Sequence, residues 1–377
     1  MDNFSFMLVP HKNAMVLKDI VRINCNLRDE LQNLKNSIEN NAAWDVAKRN
    51  INEYESIFSS SKKHKKICKK NPISRAYFKL WEILTDFNDE IFGNHQISHN
   101  NSMTTTHIAE GPGGFIECLI DFKRLHGISI RSMNGITLLI QSPTENKVPF
   151  WKLNKELCAK NNIYINRKID NIGDLYNVSN IDNFTQRAGK NNSKLVTADG
   201  GFDFSIDFNN QEYSFLQLFL SEIYTATTVQ ATGGSFVIKI FDMFTVETNC
   251  LMSILYKLYE TIYITKPFTS RPANSEKYLV CLNYNAVNND VLIEDMRLEI
   301  IHKNGIRNSL GKYFNAHIAT RLCTYNTYYT NRQMEYLKNT LKEAERLKNN
   351  DVYIHANDST IKKCIDWCKM YEIEYDY

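Results

Sequence analysis

A chain of 377 residues, 43% hydrophobic and 23% charged, can bury a substantial core and reads as two or three domains or one large α/β domain with additions. Its net charge of +3 excludes a molecule that holds nucleic acid by bulk charge alone, and no apolar run approaches the length that spans a bilayer. Nine cysteines, an odd number with no CxxC pair and no matching histidine spacing, exclude a disulfide-stapled scaffold and a zinc module, so reduced thiols and no metal are expected.

Along the chain, Met1 to Pro10 lack a basic start followed by an apolar stretch and a small-residue cleavage site, which predicts an intracellular protein. Residues 12–58 read as helical, with Val16, Ile20, Val21 and Ile23, then Leu27, Leu31 and Leu34, at roughly helical spacing. Six lysines follow in SKKHKKICKK, Ser61 to Lys70, a density that suits RNA phosphates, a nuclear address or a solvated linker. Pro72 and Ser74 then precede RAYFKLWEIL, whose Phe78, Trp81, Ile83 and Leu84 predict a helix from about Ser74, with Arg75 and Lys79 sharing a face at i,i+4.

From residue 104 to about 285, short β-rich runs alternate with amphipathic helices, the pattern of a mostly parallel sheet wrapped by helices in an α/β fold. Strands are predicted at 104–109, 135–140, 163–167, 194–198, 235–240, 261–265 and 278–283, and helices at 114–125, 211–230 and 247–259. The last strand follows its predecessor with no room for a helix, which predicts antiparallel pairing at the end of the sheet. Beyond residue 290 the chain turns helical and polar, with Leu337, Leu341 and Ala344 on one side. The expected organisation is an N-terminal helical region (1–70), a catalytic core (71–288) and a C-terminal helical accessory region (289–377).

Four segments carry chemistry. EGPGGF, Glu110 to Phe115, is a glycine turn between a strand and a helix, where backbone approaches a ligand and N–H groups are unpaired. LVTADGGFDF ends an apolar strand on Asp199, where open α/β sheets bind their ligands. TGGSFVIKIFD places Lys239 inside a strand that reads as buried, and lysine is rarely buried without a partner. KPFTSRPANSEKYLVC is a proline-punctuated loop that sets Glu276 at the start of the final strand.

With SRAYFKL, these segments in this order resemble the FtsJ-like RNA 2'-O-methyltransferases, and the last three resemble the cap-specific mRNA ribose methyltransferases in particular. The resemblance covers roughly residues 71 to 285. It implies a Rossmann-like class I methyltransferase sheet and a catalytic tetrad of Lys79, Asp199, Lys239 and Glu276. It further implies S-adenosyl-L-methionine as methyl donor, held by Gly111, Pro112, Gly113, Gly114 and Phe115, with Asp174 near the adenine and Asp199 near the methionine end. RNA contacts are expected from Arg75, Arg271, Asn274 and Ser275, and capped mRNA is the expected partner, delivered by transcription or capping machinery.

The chain departs from the family at His107, which stands where an acid is usual five residues before the motif's proline; Glu110 is the candidate to compensate. The acid usual after the second strand is also absent, Gln141 standing there. Two other readings stay open: a ribosomal or transfer RNA 2'-O-methyltransferase, and a catalytically silent RNA-binding subunit. The abundance of Asn, Lys, Ile and Tyr suggests an AT-rich source, such as a large DNA virus or a unicellular eukaryote.

Overall fold

A computed structural model of the chain describes residues 6–7, 17–38, 41–60, 65–93, 102–138, 151–166, 173–201, 210–349 and 358–377. The start of the lysine run, the end of the expected strand at 135–140, and Gln141 lie outside these residues. The strands are β1 (Phe6–Met7), β2 (Met103–Ile108), β3 (Ile130–Ile136), β4 (Ile163–Ile165), β5 (Ser193–Ala198), β6 (Gln230–Ile240), β7 (Tyr259–Thr265) and β8 (Lys277–Tyr284). They form one sheet in the order β1-β7-β8-β6-β5-β2-β3-β4. Strands β4, β3, β2, β5 and β6 run parallel, whereas β8 is antiparallel to both β6 and β7.

The last strand is therefore antiparallel as expected, but it is not at an edge: it is inserted between β6 and β7. An eleven-residue span from Lys266 to Glu276 is too short for a crossover to a parallel partner, and inside the sheet β8 gains hydrogen-bond partners on both sides. Two further differences concern β1 and β3. The N-terminal region contributes a two-residue strand that pairs Phe6 with Ile264 and Met7 with Tyr263. Strand β3 begins at Ile130, five residues before the expected start, because polar Arg131, Ser132 and Asn134 disguise a segment whose backbone pairs with β2.

Helices α1 (Leu17–Asn36), α2 (Trp44–Asn50), α3 (Ala76–Asp86) and α4 (Asn88–Phe92) lie between β1 and β2, and α5 (Gly114–His126) between β2 and β3. Then come α6 (Lys155–Lys160), α7 (Val178–Ala188), α8 (Gln211–Val229), α9 (Val246–Leu258), α10 (Asp290–His302), α11 (Ile306–Leu310), α12 (Ala316–Asn349) and α13 (Asp358–Met370). One face of the sheet sends Val196, Ala198, Phe236, Ile238 and Leu279 into a core built with α7 to α11 and the start of α12. The opposite face sends Leu195, Val237, Tyr278 and Val280 into a core with α3, α5 and α13.

The flanking regions share these cores. Leu292, Ile318 and Leu322 pack on the first, while Ile57, Ile67, Cys364 and Trp367 belong to the second. Leu31 of α1 and Ile38 just beyond that helix meet Met334 and Leu337 of α12. A bridge between Cys68 and Tyr375 ties the end of the lysine run to the C-terminal segment.

Side-chain alternation along a strand determines what reaches the site. In β6, Phe236, Ile238 and Ile240 face the α8 side, so Val237 and Lys239 face α3. In β5, Val196 and Ala198 face α8, so Leu195, Thr197 and the next odd position, Asp199, face α3. In β8, Leu279 and Cys281 face α8, so Tyr278 and, by the same period, Glu276 face α3, with Tyr278 directly opposite Lys239 in the ladder. Three of the four tetrad residues thus emerge on the face that α3 covers, and α3 carries the fourth, Lys79.

Candidate active site

At the carboxyl ends of β5 and β6, Lys239 Nζ donates to the Asp199 carbonyl oxygen at 2.7 Å and lies 3.2 Å from Asp199 Oδ1. From α3, Lys79 Nζ meets Glu276 Oε1 at 2.7 Å and Oε2 at 2.8 Å. The four side chains are between 11% and 18% exposed, dry enough to strengthen the charge interactions yet open to a ligand. Burial alone would lower the Lys239 pKa, but Asp199, Glu276 and Glu222 overcome it and raise the group above its ordinary value. Burial would raise the Glu276 carboxyl; Lys79 and Lys239 outweigh it and hold the group far below the usual carboxylate range. A Cβ on Gly201 would stand 3.0 Å from Lys239 Nζ, which accounts for a glycine where the chain passes the ammonium.

Several supporting residues were not identified from sequence. Tyr278 Oη donates to Asp199 Oδ1 at 2.9 Å, and Ser270 Oγ to Glu276 Oε1 at 2.8 Å. Lys266 Nζ donates to the Glu276 carbonyl at 2.7 Å, bracing the loop from behind. Glu82, one turn beyond Lys79 and fully buried, accepts from Phe268 N at 2.6 Å, from Thr269 N at 2.8 Å and from the Thr269 hydroxyl. It locks the Lys79 helix to the Glu276 loop, and burial pushes its pKa up to about 8 against the pull of those donors. Its one sequence signal was a carboxylate among the apolar residues of RAYFKLWEIL. Glu222 of α8, also fully buried, accepts the Gly200 N–H at 3.1 Å behind the Asp199 turn, and burial raises its pKa strongly.

At the expected donor end, Gly111 N donates to Thr137 Oγ1 at 2.9 Å, and Gly113, at φ +113°, leads into α5. The Phe115 ring is buried against Tyr278, with centroids 6.1 Å apart, so only its backbone faces the turn. At Gly114 a Cβ would fall 2.1 Å from Ser74 Oγ, so that glycine makes room for the approach to α3. Asp174 Oδ1 accepts from Tyr176 N at 2.9 Å and shapes its own loop beyond β4.

His107 is a core residue. It is fully buried in mid-strand, its ring nitrogens lie 2.9 Å from Thr105 Oγ1 and 2.8 Å from Thr197 Oγ1, and burial lowers its pKa to about 3. The acid at the mouth of β2 is Glu110. Its Oε1 accepts the Ile116 N–H at 2.9 Å at the start of α5, while Oε2 is buried without a hydrogen-bond partner. Burial raises its pKa strongly above the ordinary carboxylate value.

The residues expected to touch RNA lie around the 266–276 loop in different circumstances. Arg75 stacks on Phe58, 4.1 Å from ring centroid to guanidinium carbon, and donates to the Thr269 carbonyl at 3.2 Å; burial and neighbouring Arg271 lower its pKa to about 10. Arg271 makes a two-point contact with Glu55 at 3.0 and 2.7 Å. Ser275 is buried and donates to Gln211 Oε1 at 2.7 Å, whereas Asn274 is exposed and accepts from Lys266 Nζ at 2.8 Å. Among the described residues no group of three or more metal-ligating side chains is assembled.

A strand-turn-helix ligand end and paired lysine and carboxylate groups at the mouth of one sheet define a class I methyltransferase framework. The profile of the FtsJ-like methyltransferases matches residues 72–284, more than half of the chain, and the chain belongs to that family. It is 35% identical over 179 residues to the mouse cap-specific mRNA (nucleoside-2'-O-)-methyltransferase 1, covering 46% of this chain and 20% of the mouse protein. To the protein of the same description from Trypanosoma brucei brucei it is 29% identical over 191 residues, covering 48% and 47%. The chain thus matches less than half the length of either relative. A solved structure of a putative ribosomal RNA methyltransferase from Plasmodium falciparum aligns with 56% of this chain and 97% of its own, at 19% identity and a TM-score of 0.39.

Proposed function

We propose that this protein transfers the methyl group of S-adenosyl-L-methionine to the ribose 2'-hydroxyl of a 5'-terminal nucleotide in capped mRNA. The observation that carries the reading is Lys239 held beside Asp199 at the sheet's mouth and influenced by Glu276, which is itself clamped by Lys79, in an FtsJ-like chain whose curated relatives are cap-specific enzymes.

The residues at the donor end suit such a cofactor. The Gly111–Phe115 turn opens onto the start of α5, and the buried, unpartnered Oε2 of Glu110 lies beside it. Gly111, Pro112 and Gly113 would offer backbone, and Asp174 and Asp199 polar side chains. S-adenosyl-L-methionine would supply an electrophilic methyl carbon. Lys239 would orient the ribose hydroxyl and, in its neutral form, take the proton that the hydroxyl gives up on gaining the methyl group, the donor leaving as S-adenosyl-L-homocysteine once its methyl–sulfur bond is broken. Asp199 and Tyr278 fix the direction of the Lys239 amine, and the Lys79–Glu276 pair holds the opposite wall of the site. Around the loop, exposed Asn274 and the part-exposed Arg75 and Arg271 would guide the RNA backbone, and buried Ser275 would hold the loop in place.

The test is transfer of labelled methyl to short RNAs ending in a methylated guanosine cap, an unmethylated cap or a triphosphate, with nuclease mapping of the product. Label on the 2'-oxygen of a cap-proximal nucleotide, dependent on the cap, is the expected result. Labelling indifferent to the 5' end would overturn the cap assignment, and label elsewhere than ribose oxygen would overturn the reaction.

A further inference from the structure

Between the 266–277 loop, the 52–54 segment and α12 lies a cavity of about 110 Å³, with room for several waters or one planar heteroaromatic system. Its walls carry half-buried rings: Tyr54 and Phe268, 5.2 Å apart, face Tyr328 and Tyr336 of α12. Half-exposed rings around a cavity are the kind of surface on which bases stack.

The cavity is also bordered by basic side chains. Lys266 and Lys277 lie at its base, and Arg332 is exposed at its lip, donating to Tyr328 Oη at 3.2 Å. Glu53, the one acid among the described lining residues, is paired with Lys363, and Asp242 near Lys277 is already bound by Lys35 at 2.9 Å. Burial depresses both lysines, Lys266 strongly and Lys277 to about 8, and an anion beside them would favour their charged forms.

We propose that this cavity is a nucleotide-binding site separate from the tetrad, taking a base among Tyr54, Phe268 and Tyr336 and a phosphate toward Arg332. Two contacts join it to the tetrad: Ser270 lines the cavity and donates to Glu276 Oε1 at 2.8 Å, and Lys266 donates to the Glu276 carbonyl at 2.7 Å. The nucleotide is either part of the RNA substrate or a free effector. That choice rests on the function proposed above, whereas binding itself does not.

Calorimetric titration of the full chain with GMP, guanosine and inorganic phosphate tests it, alongside Arg332→Ala, Tyr336→Ala and, as a control in the tetrad, Lys239→Ala. GMP should bind the wild type and Lys239→Ala alike, with guanosine and phosphate each at least about tenfold weaker, and each cavity variant should cost GMP roughly tenfold. Thermal unfolding of Arg332→Ala, altered at an exposed position, should match the wild type. An RNA-borne nucleotide predicts that GMP competes with RNA and that the variants raise KM for RNA at constant kcat; a free effector predicts that GMP changes kcat and the variants abolish that response. No GMP binding at millimolar concentration, or binding undiminished in both cavity variants, overturns the site. Methyl transfer by the same preparation judges the proposed reaction separately.

Discussion

Lys79 Nζ touches both carboxylate oxygens of Glu276, at 2.7 and 2.8 Å, across 197 residues of sequence. The contact joins α3, which lies between β1 and β2 in the chain, to the residue that leads into β8, the last strand of the sheet. Its geometry sets the wall that faces Lys239, and it makes Glu276 the anion shared by two lysines.

Glu276→Gln should leave Lys79 without its carboxylate and Lys239 with one fewer anion nearby. The expected loss of stability at pH 7 is about 3–5 kcal/mol, the usual cost of removing one partner of a buried pair. The folded-state pKa lies far below the ordinary 4.5, so the carboxylate's contribution is complete above 4.5 and fades as pH falls below it. Urea unfolding of wild type and variant at pH 7 and at pH 3.5 should show the gap narrowing; an equal gap at both would refute the assignment.

Lys239→Ala should lower methyl transfer by roughly 10²–10⁴-fold, the range of a lost general base, while donor binding measured by calorimetry changes little. Retained turnover would remove Lys239 from the mechanism.

The raised pKa of Lys239 has a kinetic signature. Since the ammonium is favoured up to and beyond 10.5, the neutral amine is scarce at pH 7, and single-turnover transfer should climb about tenfold per pH unit through neutrality without a plateau below that value. Asp199→Asn removes an anion that raises this pKa, so the rising limb should move to lower pH even as the maximal rate falls.

Glu82→Ala should free the 268–269 loop by deleting its acceptor for two backbone N–H groups and one hydroxyl. Leaving those donors buried is expected to cost about 2–4 kcal/mol. Hydrogen exchange at Phe268 and Thr269 should accelerate ahead of the core strands.

His107→Asp, which restores the residue type usual in the family, should destabilise the protein without improving donor affinity, because it places a carboxylate between Thr105 and Thr197 in a dry strand. Glu110→Gln should weaken donor binding instead. His107 also imposes a pH dependence. Its folded pKa, about 3, is below the ordinary 6.5, so the unfolded chain binds the extra proton and stability falls as pH drops from 6.5 toward 3. In His107→Gln this part of the acid sensitivity should vanish from unfolding curves.

The amphipathic helices over 114–125, 211–230 and 247–259 were legible because their apolar residues recur at helical spacing, and each forms within a residue or two of its expected ends. Strand β3 was displaced in the reading because pairing on both sides rewards its backbone whatever its side chains. His107 looked like a damaged donor site because linear sequence does not show which strand position is enclosed by Thr105 and Thr197. The partners of Arg271 and Ser275 were hidden for a similar reason: Glu55 and Gln211 are distant in sequence.

The sequence by itself determined the α/β class, the antiparallel last strand and the residue types of the tetrad, since these follow from local periodicity and from short motifs in a set order. Only the tertiary structure decided that β8 lies between β6 and β7, that Lys239, Asp199 and Glu276 emerge on the face covered by α3, and that Glu82 and Glu222 stand behind them. Those outcomes depend on strand register, on burial and on charges brought together across about 200 residues, and none of the three is a property of any single segment.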